Sequence, residues 1–415
     1  MHLCDKHTIY ASYLGYITQA IVNNLAPLLF LTFHQSFQIS LEQIGFLVSI
    51  NFGVQMLVDF LAVKFVDRIG YRPCIVAAHL LSTIGLVGLG IFPYVMPTPY
   101  SGLVLSIVIN AIGGGLIEVL VSPIVEAVPG DEKASAMSLL HSFYCWGHVL
   151  VVLLSTLFFT TVGIENWYIL PIAWAVVPLL NTFFFAMVPL RKVVEEEHVI
   201  GVKRLFSMKL FWLFLLLMVC AGASEQAMSQ WTSLFAEAGL NVSKTMGDLL
   251  GPCAFAVLMG LSRAFYGKFG SKINLKKFII VSSGVCVISY LMAAFSPVAL
   301  LSLVGCALCG LSVGIMWPGT FSLSTQYCPR GGTAMFALLA LAGDVGCAVG
   351  PGLVGVVSNS VEKGTSKIAS FLYEGLPLTE AGLKTGMLFA IVFPVMMLIA
   401  VSFLHRKQQN TNGLN

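Results

Sequence analysis

Charged side chains are scarce in this sequence of 415 residues: only 10% are Asp, Glu, Lys or Arg, whereas 57% are hydrophobic. Soluble domains carry about 25% charged residues, so this chain has too few to cover a water-facing surface. Its mean hydropathy of +0.89 indicates a membrane protein that crosses the bilayer several times. The net charge of +3 is too small to suggest binding to nucleic acid, and we expect no such partner.

The sequence also lacks the patterns typical of enzymes. It contains no glycine-rich nucleotide-binding loop, no cluster of metal-ligating residues and no nucleophile constellation. The cysteines are scattered, and the Cys-x-x-Cys pair of Cys306 and Cys309 stands inside an apolar run without a second pair. We interpret both as packing residues. We therefore predict neither an enzyme nor a resident metal or cofactor.

Long apolar runs dominate the chain, and twelve of them could cross about 30 Å of hydrocarbon as helices. They are residues 9–35, 42–66, 73–95, 100–127, 133–162, 167–189, 208–236, 245–268, 276–295, 298–326, 332–358 and 381–404. The most polar stretch, Arg191 to Lys209, separates six runs from six. We predict an all-α membrane protein of twelve transmembrane helices in two pseudo-symmetric halves, residues 1–190 and 208–415, joined by a cytoplasmic linker at 191–207.

Two loops at corresponding places in these halves share a pattern. The loop after run two reads VDRIGYRPCI (66–75), and the loop after run eight reads YGKFGSKINL (266–275). A match at a fixed offset indicates duplication, with the halves related by an axis along the membrane normal. The matched pairs are Arg68 with Lys268, Gly70 with Gly270, and Arg72 with Lys272.

Basic residues are distributed unevenly over the two sides of the predicted bundle. If the N-terminus is cytoplasmic, the cytoplasmic segments hold 18 of the 22 Lys and Arg residues, Arg263 included. The outer loops then hold only Lys244, Lys363, Lys367 and Lys384. Cytoplasmic loops are the basic ones in membrane proteins, so we predict a protein of the cytoplasmic membrane with both termini in the cytoplasm.

The loop after run two resembles the signature loop of the major facilitator superfamily. The resemblance rests on Asp67, Arg68, Gly70 and Arg72, and Val63 stands where that superfamily usually has a glycine. It implies the twelve-helix fold, transport by alternating access, and a gating role for these four loop residues. We expect Asp59, two turns before the loop, to join the same cytoplasmic charge network.

Three further segments resemble the fucose permease branch of sugar–proton symporters: NNLAPLLFLTFHQSF (23–37), GGLIEVLVSPIV (114–125) and MSLLHSFYCWG (137–147). In that branch a glutamate in span four and an aspartate in span one handle the proton and the sugar. Glu118 matches the glutamate, and Pro27 stands at the aspartate position. The resemblance implies proton-coupled uptake of a small polar solute, with a sugar favoured. We expect a monomer driven by the proton gradient, and the sequence leaves sodium open as the coupling ion.

Glu118 also stands out on physical grounds, because a carboxylate at membrane depth should face a partner or a cavity. His141 lies as far after the turn at 129–133 as Glu118 lies before it, which predicts equal depth on antiparallel helices. We predict that the two exchange a proton; the alternative is a static hydrogen-bonded pair. Asp344 is a second candidate for protonation. Glu126 lies closer to the turn, where we expect an ion pair or a gate latch.

Polar stripes on spans one and seven predict the substrate site. Span seven reads GASEQAMSQWTSLF (222–235), and its amides and hydroxyls recur at helical spacing. A polar stripe in a membrane helix faces water or protein, and amides suit hydroxyl-rich ligands. Hydrogen bonding between helices is the alternative. The predicted substrate contacts are Gln19, Asn23, Asn24, Glu225, Gln226 and Trp317.

Two other functions compete with symport. A drug or metabolite antiporter of the same fold would keep the carboxylates and reverse the flux; its usual glycine-proline motif in span five is missing here, since His148 follows Gly147. A receptor or scaffold that transports nothing would not need charges at membrane depth.

Overall fold

Twelve membrane-length helices account for most of the described chain, which confirms the predicted fold class. The computed structural model describes residues 3–129, 133–191, 202–269, 273–328, 332–364 and 371–404. Within these residues the spans, numbered 1 to 12, are Asp5–Phe37, Leu41–Ala62, Tyr71–Val95, Pro99–Glu126, Leu139–Val162, Ile169–Met187, Lys209–Gly239, Lys244–Phe269, Leu275–Phe295, Ala299–Tyr327, Met335–Glu362 and Leu378–Ser402. The helix of span 2 continues to Ile69, that of span 5 begins at Lys133, and that of span 11 begins at Gly332.

An even number of spans places the two chain ends on one face of the bundle, here called the terminal face; the other is the distal face. At the terminal face, Arg191 forms a two-pronged ion pair with Asp5, at 3.0 and 2.9 Å. This contact fixes the start of the predicted linker to span 1. Linker residues 192–201 lie outside the described residues, and a short helix, Val202–Phe206, precedes span 7.

Spans 1, 7 and 8 depart from regular α-helix toward the distal face. Span 1 is α-helical to Asn24 and then passes through a 3₁₀ turn at Ala26–Leu29. This turn contains Pro27, which has no N–H to donate to the helix. Span 7 ends in a π turn at Phe235–Gly239, and span 8 contains another at Leu249–Cys253. These irregular turns leave backbone carbonyls available to side chains.

The two halves of the bundle meet closely at the distal face. The Nζ of Lys244, on span 8, donates to the carbonyl of Leu28 on span 1 at 2.6 Å. Asn359, at the end of span 11, donates to Glu42 of span 2 at 2.7 Å, and Lys363 lies 3.6 Å from the same carboxylate. Among the described residues, the hydrogen bonds joining the halves gather at the distal face and at mid-depth, so this conformation is closed distally.

Spans 2 and 11 form the longest of these crossings. A Cβ atom added to Gly45 would lie 3.1 Å from the Cα of Gly355, so the two backbones touch. Four residues further along span 2, the hydroxyl of Ser49 donates to the carbonyl of Ala348 at 2.7 Å. Small residues permit this approach, as is common between membrane helices.

The same two spans enclose an apolar groove on the terminal side of this crossing. Its volume is about 340 Å³, and its lining carries no polar surface. The lining residues are Met56, Leu57 and Phe60 of span 2 and Leu341, Ala342 and Val345 of span 11.

Gly70 and Arg72 of the signature loop have different structural roles. Gly70 adopts φ +96°, a conformation that side chains other than glycine rarely adopt, and it separates spans 2 and 3. Arg72 donates to the carbonyls of Phe185, Ala186 and Val188 at 3.0, 2.6 and 2.8 Å. It therefore caps the end of span 6.

Arg68 is exposed. The side chain of Asp67 and the matching residues Gly270 and Lys272 lie outside what the structure describes.

Two of the four lysines expected in outer loops lie on spans instead. Lys244 begins span 8 and Lys384 lies on span 12. Lys384 is buried and pairs with Glu380 one turn before it at 3.1 Å, which offsets the cost of the buried charge. Lys363 remains exposed beyond span 11, and Lys367 lies outside the described residues.

Candidate functional site

Glu118 accepts a hydrogen bond from span 1. The Nε2 of Gln19 donates to Oε2 of Glu118 at 2.5 Å. Glu118 lies eight residues before the end of span 4, which is ~12 Å from that end at 1.5 Å per residue. The Oε1 atom of Gln19 is buried and has no hydrogen-bond partner among the residues that the structure describes. The structure therefore joins a predicted proton residue to a predicted substrate residue.

A second contact between the same two spans lies one turn nearer the terminal face. The hydroxyl groups of Tyr16 and Ser122 are 3.1 Å apart. Because Ser122 follows Glu118 by four residues, both side chains lie on one face of span 4. The ring of Tyr16 also meets the ring of His141 edge-on, with centroids 5.2 Å apart.

This arrangement corrects the expected pairing of Glu118 with His141. Span 1 packs against both span 4 and span 5, and those two spans contact each other less. The equal distance from the turn predicted depth but could not reveal a third helix beside them. Among the described contacts, Glu118 bonds to Gln19, whereas His141 is exposed and packs on Tyr16.

Asp59 and Asp344 face each other across the two halves. Their carboxyl groups lie within hydrogen-bonding reach, with Glu118 close enough to interact electrostatically with both. One oxygen of each carboxyl, Oδ1 of Asp59 and Oδ2 of Asp344, is buried and has no hydrogen-bond donor in the described part of the chain. Asp59, expected in the network of the signature loop, thus contacts span 11 near mid-depth.

An amide cluster surrounds Asn23. Its Oδ1 accepts from Asn51 at 3.1 Å and from Gln55 at 2.8 Å, both on span 2. Its backbone carbonyl accepts from Gln230 of span 7 at 3.0 Å. Asn51 and Gln55 were not predicted as site residues, although Asn51, Gln55 and Asp59 recur every four residues and form a polar stripe on span 2.

The cavity beside this cluster is small. Asn23, Asn51, Asn110 and Gln230 contribute its polar lining, and its volume is about 20 Å³. Within the described ranges, the buried Oδ1 of Asn110 has no hydrogen-bond partner. Such a space suits one water molecule and is too small for a solute, so Asn23 joins helices here rather than lining a solute-sized cavity.

Asn24, Glu225 and Gln226, which are also predicted substrate contacts, form hydrogen bonds within the bundle. Asn24 donates to the carbonyl of Ala20 at 2.9 Å and to the hydroxyl of Tyr144 at 3.4 Å. Gln226 donates to Glu225 at 3.3 Å and accepts from Gln230 at 3.0 Å.

Trp317 and Glu126 lie away from these contacts. The Trp317 ring fills the space beside Gly343 of span 11, where an added Cβ would lie 2.2 Å from the ring. Glu126 is exposed at the end of span 4. The side chain of Lys133, the basic residue that follows the turn after span 4, is outside the described part, so the predicted ion pair or gate latch stays a prediction.

The position of Arg263 differs from the predicted one. We grouped it with the basic residues of the cytoplasmic segments, but it lies within span 8, six residues before Phe269. Its guanidinium lies 3.5 Å from the carboxylate of Glu225 on span 7 and 3.4 Å from the thiol of Cys145 on span 5. The signal was present, because run 245–268 contains Arg263.

Solved structures with a similar fold include several transporters. The chain aligns with a D-xylose–proton symporter at TM-score 0.76 and 14% identity, covering 96% of this chain and 97% of that one. It aligns with a variant of the nucleoside transporter NupG at TM-score 0.74 and 14% identity, covering 96% and 98%. For a variant of the E. coli fucose–proton symporter FucP, the values are 0.61 and 15%, covering 95% and 98%. At these identities the likeness concerns the fold.

Sequence comparison identifies the family. No curated protein sequence matches the chain significantly. The family model described as Major Facilitator Superfamily matches residues 12–351, which is most of the chain and includes spans from both halves. The chain therefore belongs to the Major Facilitator Superfamily and is a multi-pass membrane transporter, not an enzyme.

Proposed function

We propose that this transporter couples the inward movement of protons to the uptake of a small, hydroxyl-bearing solute, with a sugar favoured. It works by alternating access in the cytoplasmic membrane, as a monomer with both termini in the cytoplasm. The observation that carries the proposal is the position of Glu118, at membrane depth in span 4, where the amide of Gln19 is the one donor to its carboxyl group among the described residues.

Glu118 suits reversible protonation because its surroundings do not fix one charge state. A carboxylate at this depth is costly unless it is paired or hydrogen-bonded. Gln19 supplies one hydrogen bond and no charge. The ring of Tyr16 contacts the exposed His141, and its hydroxyl group contacts Ser122, one turn from Glu118. These two hydroxyl groups form the proposed proton route from His141 to Glu118.

The solute class follows from the groups near mid-depth on span 7. Glu225 and Gln226 are buried there and offer both donors and acceptors, which suit hydroxyl groups. The structural neighbours named as D-xylose–proton and fucose–proton symporters and as a nucleoside transporter support the same class by fold alone.

The proposed orientation determines the side of the membrane to which this conformation is closed. The contacts between halves gather toward the distal face. If the basic terminal face is cytoplasmic, the distal face is external, and this conformation is the one closed to the outside. Proton and solute together must favour the switching state over singly loaded states, since coupling otherwise leaks.

The test uses purified protein in sealed vesicles with an imposed pH gradient. The probes are labelled D-xylose, L-fucose and uridine, each assayed for gradient-driven accumulation and for exchange without a gradient. We expect accumulation in the wild type, and exchange without accumulation in Glu118→Gln, which keeps the hydrogen-bonding shape but cannot ionise. Glu126→Gln, at the exposed end of the same span, is the matched control and should accumulate normally.

Two outcomes would count against the proposal. Wild-type accumulation by Glu118→Gln would remove that residue from the coupling step. Accumulation driven by a sodium gradient alone, with no response to pH, would replace the proton as the coupling ion.

A further inference from the structure

Arg263 is a partly buried cation with poor partners. The normal N–H···O distance is 2.9–3.0 Å, but its contact with Glu225 measures 3.5 Å. Its other contact, at 3.4 Å, is with the thiol of Cys145, and a thiol is a weak acceptor. The Nε atom is buried and has no hydrogen-bond partner among the described residues.

A guanidinium presents five N–H donors in a planar fork. Leaving such donors unpaired in a buried site is unfavourable, and Glu225 does not compensate, because its own contacts are long: 3.5 Å from Arg263 and 3.3 Å from Gln226. The pair is therefore held together loosely. Arg263 therefore has N–H donors, and Glu225 has carboxylate acceptor sites, that are available for hydrogen bonds to a solute.

The charges at this depth limit which chemical groups of a solute can bind to Arg263 and Glu225. Glu225 already balances Arg263, and Glu118 lies on the other half of the bundle. A carboxylate or phosphate on the solute would have to displace Glu225 and leave it unpaired. Two neighbouring hydroxyl groups would not, since their oxygens accept from the guanidinium while one O–H donates to Glu225.

We propose that Arg263 and Glu225 form the recognition site for a vicinal diol on an uncharged solute. This inference rests on the proposed transport function and adds the chemical group that the solute must carry. Arg263 supplies paired donors, Glu225 supplies the acceptor, and the contact of Arg263 with Cys145 links the bound group to the other half of the bundle.

The experiment measures binding to purified protein without any gradient, by thermal stabilisation and equilibrium competition. The probes are matched pairs that differ by one hydroxyl: ribose and 2-deoxyribose, uridine and 2′-deoxyuridine, glucose and 2-deoxyglucose. Glucuronate is the charged comparison. We expect diol-bearing probes to bind at least about tenfold more tightly than their deoxy partners, since removing a partner from a buried hydrogen-bonding group costs about 1–3 kcal/mol.

Variants then test whether Arg263 is responsible. Arg263→Lys keeps the charge but replaces the planar fork with a point charge, so the preference for the diol over the deoxy probe should fall to near unity. A residue with a purely structural role would weaken both probes of a pair equally. Lys268→Gln, an exposed cation five residues along the same span, is the control and should keep the preference.

Binding separates this inference from the proton mechanism. An intact diol preference in Arg263→Lys, tighter binding of glucuronate than of glucose, or no binding of any diol-bearing probe would overturn it. Loss of gradient-driven accumulation with the diol preference intact would instead count against the proposed coupling. If Arg263→Lys yields no folded protein, Glu225→Gln is measured with the same matched pairs.

Discussion

The ammonium group of Lys244 donates to the backbone carbonyl of Leu28 at 2.6 Å, across the boundary between the two halves. Its remaining partners are Glu237, Asp248 and Ser233 of the C-terminal half. It also lies 5.4 Å from the centroid of the Phe159 ring on span 5. Asp248 is fully buried. One cation thus closes the distal face and neutralises two carboxylates.

Lys244→Met should therefore open the distal face. The substitution keeps the length of the side chain but leaves Asp248 and Glu237 without their cation, a loss of about 3 kcal/mol for a buried pair. Pulsed-EPR distances between spin labels on the exposed Ser36 and Ser243 should lengthen, in a background without the exposed Cys4. Lys363→Met is the control, because its ion pair is exposed and worth little; equal distances in both variants would contradict the assignment.

The Asp59–Asp344 contact should make the conformational balance depend on pH. Two adjacent carboxyl groups can stay in contact only while they share a proton, because two carboxylates repel, and Glu118 adds to that repulsion. Raising the pH should therefore separate spans 2 and 11 at this level. Spin labels on the exposed Ile69 of span 2 and Phe336 of span 11, toward the terminal face, would report the change as the pH is raised.

Asp344→Asn should greatly reduce that response, because an amide donates a hydrogen bond at any pH. Glu126→Gln should leave it unchanged. An equal pH response in Asp344→Asn and the wild type would assign the titration to another group.

Arg72 and Arg68, paired in the signature loop, should differ in their effect on stability. Arg72→Lys retains the charge but cannot reach three carbonyls at once. It should destabilise the end of span 6 by about 1.5 kcal/mol, the value for one hydrogen bond to a charged group. Arg68→Lys, at an exposed position, should change the melting temperature little. Melting curves in detergent test both, and equal losses would mean that the Arg72 contacts contribute nothing.

Glycine at the crossing of spans 2 and 11 should be required for distal closure. A Cβ on Gly355 would lie 2.8 Å from the carbonyl oxygen of Leu41 and 2.9 Å from the Cα of Gly45. Gly355→Ala should therefore force the spans apart and lengthen the distance between labels on Ser36 and Ser243. Gly53→Ala is the matched control on span 2, since its Cβ would meet no atom within 4 Å. It should be neutral or stabilising, because alanine favours helix over glycine; a shift in this variant as well would exclude steric contact as the cause.

The sequence predicted what depends on distance along the chain. Twelve spans follow from the length and apolarity of the runs, and the depth of Glu118 follows from counting residues. The neighbour of Glu118 does not, since residue counting along two helices says nothing about a third packed against both. Asp59 and Asp344 are 285 residues apart in sequence, and their contact depends on how the two halves of the bundle meet. The depth of Arg263 was predicted wrongly because its positive charge was counted as evidence for the cytoplasmic side. Its position in run eight placed it at membrane depth.

The apolar groove between spans 2 and 11 makes transport depend on the surrounding bilayer. Its lining residues are Met56, Leu57 and Phe60 of span 2 and Leu341, Ala342 and Val345 of span 11. Any lipid tail that occupies this groove, of about 340 Å³, must leave before the two spans can close along that length. Whatever binds one state and not another shifts the balance by mass action. Membranes with stiffer or bulkier acyl chains should therefore change the turnover rate of an unaltered protein, with the solute affinity of each state untouched.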